Sequence, residues 1–256
     1  MRKLIYQLIV IFLIAQTQLI FAQTTVPYEW HNIPLGGHGF ITGIVMHPLE
    51  KDLMYLRTDV GGAYRWDKEN KSWVQLCDGF GVEDQSFYGI DGIAIDPQNT
   101  NVVYMAAGNY TWASSDVIKS TDRGRSWIKT GLNKKFEANG GKRAMGECLA
   151  VDPVNSSVVY CGTALEGLWR SPDAAASWQK VTAITTLTDK SNQVRNIVFD
   201  KKTALGGKCQ TIYAGVTNKG VYRSLDGGES WTLLAGTPIT AKRMEVGPSG
   251  ALYVAS

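Results

Sequence analysis

Residues 119–127 read Lys-Ser-Thr-Asp-Arg-Gly-Arg-Ser-Trp, and this stretch decides the fold because its pattern recurs along the chain. Residues 170–178 and 223–231 also have a basic residue followed by Ser-x-Asp-x-(Gly or Ala)-x-Ser-Trp, and residues 65–73 hold a degenerate copy. The tryptophans that close successive segments are 54, 51 and 53 residues apart. A period near 50 residues is typical of a propeller with one four-stranded blade per repeat.

Each repeat also contains short runs of β-branched and aromatic residues bounded by Gly, Asn, Asp and Pro. One run ends in an acidic turn, as in residues 93–97, Ile-Ala-Ile-Asp-Pro, and a second follows it, as in residues 102–105, Val-Val-Tyr-Met. A third run begins at a glycine, as in residues 220–223, Gly-Val-Tyr-Arg. Such runs predict β-strands. The sequence therefore predicts an all-β fold, a β-propeller of about four and a half blades with Asp-box (BNR-type) turns.

The Ser and Asp residues of the repeated turn predict a structural role. Short polar side chains of this kind bond to nearby backbone groups and hold tight turns. We therefore expect Asp122, Asp173 and Asp226 to be structural rather than catalytic, with the tryptophan of each repeat packed beneath its turn.

The first 22 residues differ in kind from the rest. Met-Arg-Lys precedes an almost entirely apolar stretch, which relaxes towards Gln, Thr and Ala before Gln23. This is typical of a secretory signal peptide cleaved after Ala22. A membrane anchor is the alternative, but glutamines interrupt the apolar stretch, which is short for a bilayer span. We expect a secreted mature domain over residues 23–256, extracellular or periplasmic, with no membrane association after cleavage.

Composition excludes several functions. The 26 basic and 23 acidic residues give a formal charge of +3, and no basic run of the kind that binds nucleic acid occurs. The four cysteines show no Cys-x-x-Cys spacing and the three histidines no ligand spacing, so we expect neither a metal nor a cofactor. We expect buried free thiols at Cys77 and Cys209. An exported chain permits a disulfide between Cys148 and Cys161, which stays open.

Asp59 breaks the repeat. It lies three residues before Gly62, at the start of the third strand, whereas Ala164 and Thr217 occupy the corresponding positions before Gly167 and Gly220. The scaffold therefore does not require an acid there. This loop lies opposite the Asp-box turns, on the face where propellers commonly bind ligands. The alternative is a turn-capping aspartate paired with Arg57.

Residues 57–66 read Arg-Thr-Asp-Val-Gly-Gly-Ala-Tyr-Arg-Trp, and together with residues 33–48 they resemble the N-terminus of glycoside hydrolase family 74. The similarity continues through Gly-Ile-Asp-Gly-Ile-Ala-Ile-Asp-Pro at residues 89–97 and Gly-Glu-Cys-Leu-Ala-Val-Asp-Pro at residues 146–153. The resemblance thus covers nearly all of the mature chain.

The resemblance implies two seven-bladed propellers with a substrate cleft between them. Enzymes of this family cut the β-1,4-glucan backbone of xyloglucan, a plant cell-wall polysaccharide, with inversion. The aspartate of the Arg-Thr-Asp motif is the family's general base, which carries over to Asp59. The general acid belongs to the second propeller, and the strands end partway through a fifth repeat. We therefore expect the chain to be the front portion of a longer protein that needs a second propeller domain.

Three residues depart from the family pattern. His38 stands where the family usually has Gly, Cys148 where it has Arg, and Ala164 where Arg is common. We expect the last two to lie toward the ligand face, which would alter substrate choice.

Aromatic residues are further candidates for binding sugar. Tyr110 and Trp112 fall in the loop between the second and third strands of the second repeat, with Tyr88 nearby in sequence. Exposed rings there could stack on sugars, and the alternative is packing between blades.

Two other functions compete with hydrolysis of xyloglucan or a related β-glucan. One is a carbohydrate-binding or scaffold propeller that has lost the chemistry. The other is a sialidase, since sialidases also use Asp boxes. We rank it last, because the sequence lacks the Phe/Tyr-Arg-Ile-Pro motif near its N-terminus.

Overall fold

A computed structural model describes residues 34–184 and 191–256, and the predicted signal peptide lies outside these ranges. Four four-stranded antiparallel sheets follow one another along the chain. Sheets 1 and 2 are each ordered as a simple meander: β1 (Ile41–Met46), β2 (Met54–Thr58), β3 (Ala63–Asp67), β4 (Ser72–Gln75); β5 (Ile90–Asp96), β6 (Asn99–Ala107), β7 (Asp116–Ser120), β8 (Ile128–Lys129).

Sheet 3 repeats this meander, and so does sheet 4, which has a separate hairpin inserted after its first strand. The strands are β9 (Leu149–Asp152), β10 (Asn155–Gly162), β11 (Leu168–Ser171), β12 (Gln179–Lys180); β13 (Val194–Phe199), β14 (Ala204–Leu205), β15 (Lys208–Cys209), β16 (Ile212–Val216), β17 (Gly220–Ser224), β18 (Thr232–Leu233). Sheet 4 consists of β13, β16, β17 and β18, while β14 and β15 form the separate inserted hairpin. A fifth, two-stranded sheet comprises β19 (Arg243–Val246) and β20 (Leu252–Ala255).

The β14–β15 hairpin is the main element that the repeat pattern did not predict. It follows a one-turn 3-10 helix at Lys201–Thr203, and its turn is Gly206-Gly207 with φ of 61° and 78°. Two consecutive positive φ angles suit the tight hairpin turn that favours glycine. A second short helical segment, Val82–Tyr88, connects sheet 1 to sheet 2.

The apolar core lies between successive sheets rather than at a single centre. One cluster joins Leu53 and Tyr55 of sheet 1 to Ile93 and Met105 of sheet 2, and further clusters join sheets 2 and 3, 3 and 4, and 4 and 5. Each sheet thus packs face to face on the next, the arrangement of a β-propeller-like fold.

The outer face of sheet 1 is less covered. Ile44 and Met46 of β1 are exposed, as is Tyr253 of β20, and a cavity of about 550 Å³ separates β1 from β13, β19 and β20. The middle sheets, by contrast, are buried on both faces, so β6 reads as a continuous apolar run from Val102 to Ala107.

Among residues 34–184 and 191–256, no helix has the length and apolar content that a membrane crossing requires.

Candidate functional site

Asp59 lies in the β2–β3 loop, and Thr58 rather than Asp59 holds the turn. The Thr58 hydroxyl accepts a hydrogen bond from the Gly61 amide at 2.8 Å and donates to the Gly62 carbonyl at 2.9 Å. Thr163 makes the equivalent bonds in sheet 3, with Glu166 and Gly167. The turn geometry therefore leaves the next side chain, that of Asp59, free for another use.

The Asp59 carboxylate is held from two sides by distant parts of the chain. The amide of Phe40 donates a hydrogen bond to Oδ1 at 2.8 Å, and Nε of Arg143 lies 3.3 Å from Oδ2 as an ion pair without a hydrogen bond. Asp59 is 6% exposed. The backbone hydrogen bond and the facing cation together favour one orientation of this mostly buried carboxylate.

The alternative that paired Asp59 with Arg57 is wrong. Arg57 points into the interior, where Nε donates to both oxygens of Glu147 at 3.0 and 2.9 Å. β2 ends at Thr58, so Asp59 lies in the turn and not on the strand face that carries Arg57. Asp59 therefore neither caps the turn, which Thr58 holds, nor pairs with Arg57, which binds Glu147.

Charged side chains from several sheets meet beneath the site. Arg195 of β13 makes a two-pronged contact with Asp91 of β5, each bond being 2.7 Å. Glu147, which precedes β9, joins Arg57 of β2 and also accepts the Ile93 amide at 2.8 Å. These pairs link sheets 1 to 4 through buried groups.

Irregularities in three strands direct side chains of this charged network toward the protein interior. The registers of β1, β5 and β13 each shift around one residue near the start of the strand, namely Thr42, Asp91 and Arg195. A β-bulge redirects the side chain of the extra residue. Each of these residues, like Glu147, stands five positions before the turn residue that closes the first strand of its repeat, and this spacing is the signal that sequence reasoning missed. These turn residues are His47, Asp96, Asp152 and Asp200.

Burial and pairing oppose each other in the Asp91–Arg195 pair. Burial by itself would raise the pKa of Asp91, but the charge and hydrogen bonds of Arg195 outweigh it and hold this pKa below its usual value. Burial would likewise lower the pKa of Arg195, and Asp91 raises it instead. Both groups therefore stay ionised.

The Asp-box carboxylates occupy the opposite ends of the sheets and are satisfied locally. In the β7–β8 turn, Oδ1 of Asp122 accepts bonds from the Ser120 hydroxyl at 2.7 Å and the Ser126 amide at 2.9 Å. The Ser126 hydroxyl donates to Oδ2 at 2.6 Å. Asp173 and Asp226 are held in the same way.

We expected the tryptophans to pack beneath their own turns, but two of the three bond to residues next to the preceding sheet. The Trp127 indole donates to the Leu76 carbonyl, and that of Trp178 to the Thr130 hydroxyl, each acceptor lying next to the preceding sheet. Only Trp231, among these three, bonds within its own turn, to Gly228. The rings fill the nearest apolar seam, which lies between sheets rather than beneath the exposed turn.

Backbone hydrogen bonds bring the aromatic candidates to the same face as Asp59. The Gly62 amide donates to the Tyr88 carbonyl at 2.6 Å, and Asn109 bonds through its amide to Ser86 and through its carbonyl to Asn139. The loops that carry Asp59, Tyr88 and Tyr110 and the segment approaching Arg143 are therefore neighbours.

The three aromatic candidates differ in what they present to solvent. Tyr110 and Trp112 stack with ring centroids 5.0 Å apart and an angle of 9°, and Trp112 is 78% exposed. Trp112 thus offers a flat surface instead of packing between sheets. Tyr88 packs against the core cluster of sheets 1 and 2 and lies edge-on to Phe80.

Two departures from the family pattern lie at the β10–β11 loop end of sheet 3, the end that corresponds to Asp59, but their side chains are buried. Cys148 and Ala164 are both fully buried, so neither presents a side chain to a ligand. Burial also raises the pKa of the Cys148 thiol to about 12. All four cysteines are free and buried, so the Cys148–Cys161 bridge that the sequence left open is not formed in this structure. The third departure, His38, is exposed.

Within the described ranges, no three His, Cys, Asp or Glu side chains are grouped so as to hold a metal ion.

The chain is similar to enzymes that act on xyloglucan. It is 41% identical over 255 residues to a xyloglucanase of Acetivibrio thermocellus, covering 91% of this chain and 30% of that protein. A xyloglucanase of a Paenibacillus species is 41% identical over 244 residues, covering 88% of this chain and 24% of that protein. The chain thus spans about a third or less of the length of these relatives. No protein-family model matches the chain.

Solved structures also show similarity to this family of enzymes. The crystal structure of a GH74 enzyme of Niastella koreensis superposes with a TM-score of 0.79 at 37% identity, covering 88% of this chain and 34% of that one.

Proposed function

We propose that this chain, which is homologous to enzymes of glycoside hydrolase family 74, is the N-terminal portion of a secreted enzyme that hydrolyses the β-1,4-glucan backbone of xyloglucan. Its relatives at about 40% identity are xyloglucanases, and they support this substrate class. Because the chain spans only part of those relatives, the proposal concerns the whole protein to which it belongs.

Asp59 is the proposed general base. In an inverting glycosidase one carboxylate activates a water molecule, while a second, protonated carboxyl roughly 6.5–9.5 Å away donates a proton to the leaving oxygen. The hydrogen bond from the Phe40 amide and the ion pair with Arg143 favour one orientation of the Asp59 carboxylate, as a base that must direct a water molecule requires. We propose that a second propeller domain supplies the acid.

The observation that carries this assignment is a contrast between repeats at one position. Asp59 follows the turn-holding Thr58, while Ala164 follows Thr163 in the same turn of sheet 3. The fold does not need the carboxylate, and long-range contacts nonetheless fix it on the face that also carries Trp112.

Trp112, stacked on Tyr110, is the proposed sugar platform, with Tyr88 as a further candidate beside the Asp59 loop. An exposed, rigid aromatic surface suits the apolar face of a pyranose ring.

We also propose that the five sheets are blades of a seven-bladed ring with Asp-box turns. The exposed apolar faces of β1 and β20 support this, because further blades would cover them. Export by a signal peptide over residues 1–22 completes the proposal.

The test is xyloglucan hydrolysis by the full-length protein, with the anomeric form of the first product followed by NMR. We expect inversion, and we expect Asp59→Asn to lower kcat by about 10³-fold or more without changing the unfolding transition. Asp173→Asn is the matched control and should keep full activity. Hydrolysis at the wild-type rate by Asp59→Asn would remove the general-base assignment. Binding of xyloglucan by the full-length wild type without product release would favour the non-catalytic propeller.

A further inference from the structure

The segment 139–146 leads into sheet 3 and passes over the buried charges. Its backbone is fixed by guanidinium groups from two other sheets. Arg57 donates to the carbonyls of Arg143 at 3.2 Å and Met145 at 3.0 Å, and Arg195 donates to the carbonyl of Lys142 at 3.2 Å. The Gly146 amide also bonds to the Lys242 carbonyl at 2.7 Å.

Both guanidinium groups are themselves immobilised. Arg57 and Arg195 are fully buried and paired with Glu147 and Asp91, respectively. Arginine presents several donors in a planar fork, so one group can hold a carboxylate and also donate to nearby carbonyls. The buried network therefore sets the path of segment 139–146.

This path delivers the Arg143 side chain to Asp59. Nε of Arg143 lies 3.3 Å from Oδ2 of Asp59, and its guanidinium lies 5.6 Å from the ring centroid of Phe40. Phe40 is also the residue whose amide bonds Oδ1 of Asp59. The carboxylate thus accepts a hydrogen bond from Phe40, directly before β1, and forms an ion pair with Arg143, whose backbone segment is held by arginines of sheets 1 and 4.

We propose that Arg143 is a positioning residue for Asp59: it holds the carboxylate in the orientation that activates water, and the Arg57–Glu147 and Asp91–Arg195 pairs set its own place. The proposal rests on the proposed function, because it concerns the same carboxylate. Arg143 acts through Asp59, and its 38% side-chain exposure leaves it accessible at the surface of the site.

The kinetic test uses the full-length protein with Arg143→Met, Arg143→Lys and the control Arg170→Met, which removes an arginine paired with Glu229 on an Asp-box turn. We expect Arg143→Met to lower kcat roughly 10- to 100-fold while KM changes by less than about twofold. Arg143→Lys should recover part of the loss, because lysine restores the charge but not the planar fork. Arg170→Met should leave both constants unchanged. A raised KM with unchanged kcat would make Arg143 a substrate contact and overturn the proposal, as would wild-type constants in Arg143→Met.

A crystal structure of the Arg143→Met protein tests the same inference without catalysis. We expect the Asp59 carboxylate to leave its rotamer or to occupy several. A carboxylate that keeps its rotamer and its bond to the Phe40 amide would overturn the proposal. Activity retained by Asp59→Asn would instead count against the proposed function, and the crystal structure would still decide whether Arg143 positions Asp59.

Discussion

The loops at the two ends of the third strands hold their aspartates in opposite ways. At one end Asp122, Asp173 and Asp226 are bound by hydroxyls and amides no more than four residues away. At the other end Asp59 is bound by Phe40 and Arg143, which lie 19 and 84 residues away in sequence. A locally bound carboxylate has used its acceptor sites to hold a turn. The Asp59 carboxylate, by contrast, is oriented by tertiary contacts, and the turn that carries it is held by Thr58 instead.

The largest effect should come from breaking the buried pair beneath Asp59. Arg195→Met leaves the Asp91 carboxylate buried without its partner, so we expect the free energy of unfolding to fall by about 3–5 kcal/mol. Urea unfolding measures it. Replacing both residues, Asp91→Leu with Arg195→Met, should restore part of the loss, because no uncompensated charge then remains. A loss below about 1 kcal/mol in the single variant would contradict the importance of this pair.

A smaller effect is expected from the aromatic platform on the Asp59 face. Trp112→Ala removes an exposed ring, so we expect weaker xyloglucan binding by roughly 3- to 10-fold with little change in stability. Calorimetric titration with xyloglucan oligosaccharides measures the affinity. The control is Leu225→Ala, which removes an exposed apolar side chain from an Asp-box turn and should leave the affinity unchanged. Equal affinities for Trp112→Ala and the wild type would remove Trp112 from the binding surface.

The smallest effect concerns acid pH and the local turns. Hydrogen bonds from the Ser126 side chain and amide and from Ser120 lower the pKa of Asp122 to about 2. Because the folded pKa lies below the unfolded value of about 3.9, this group stabilises the fold above pH 4 and loses that contribution as the pH falls toward 2. We expect Asp122→Asn to flatten the stability curve between about pH 4 and pH 2, as followed by urea unfolding. If Asp122→Asn and the wild type lost stability equally between about pH 4 and pH 2, the Asp122 carboxylate would not stabilise the fold through its turn.

The repeat pattern predicted the all-β class and the positions of most strands, and the relatives confirm the family resemblance. Local chemistry explains this success, since strand runs and Asp-box turns depend on residues close in sequence. The same logic placed Asp59 in the β2–β3 loop.

The errors arose where contacts join distant segments. The alternative that paired Arg57 with Asp59 fails, because Arg57 pairs with Glu147, 90 residues away. Cys148 and Ala164 lie toward the expected face, but tertiary packing buries both side chains. Arg143 gave no sequence signal, because its place depends on buried arginines of sheets 1 and 4.

The sequence by itself determined the repeats, the turns and the one carboxylate that the repeat does not explain. Only the tertiary structure decided which groups face that carboxylate. The physical reason is that bulges turn Asp91 and Arg195 into the space between the sheets, and the resulting pairs form only when several repeats have packed side by side.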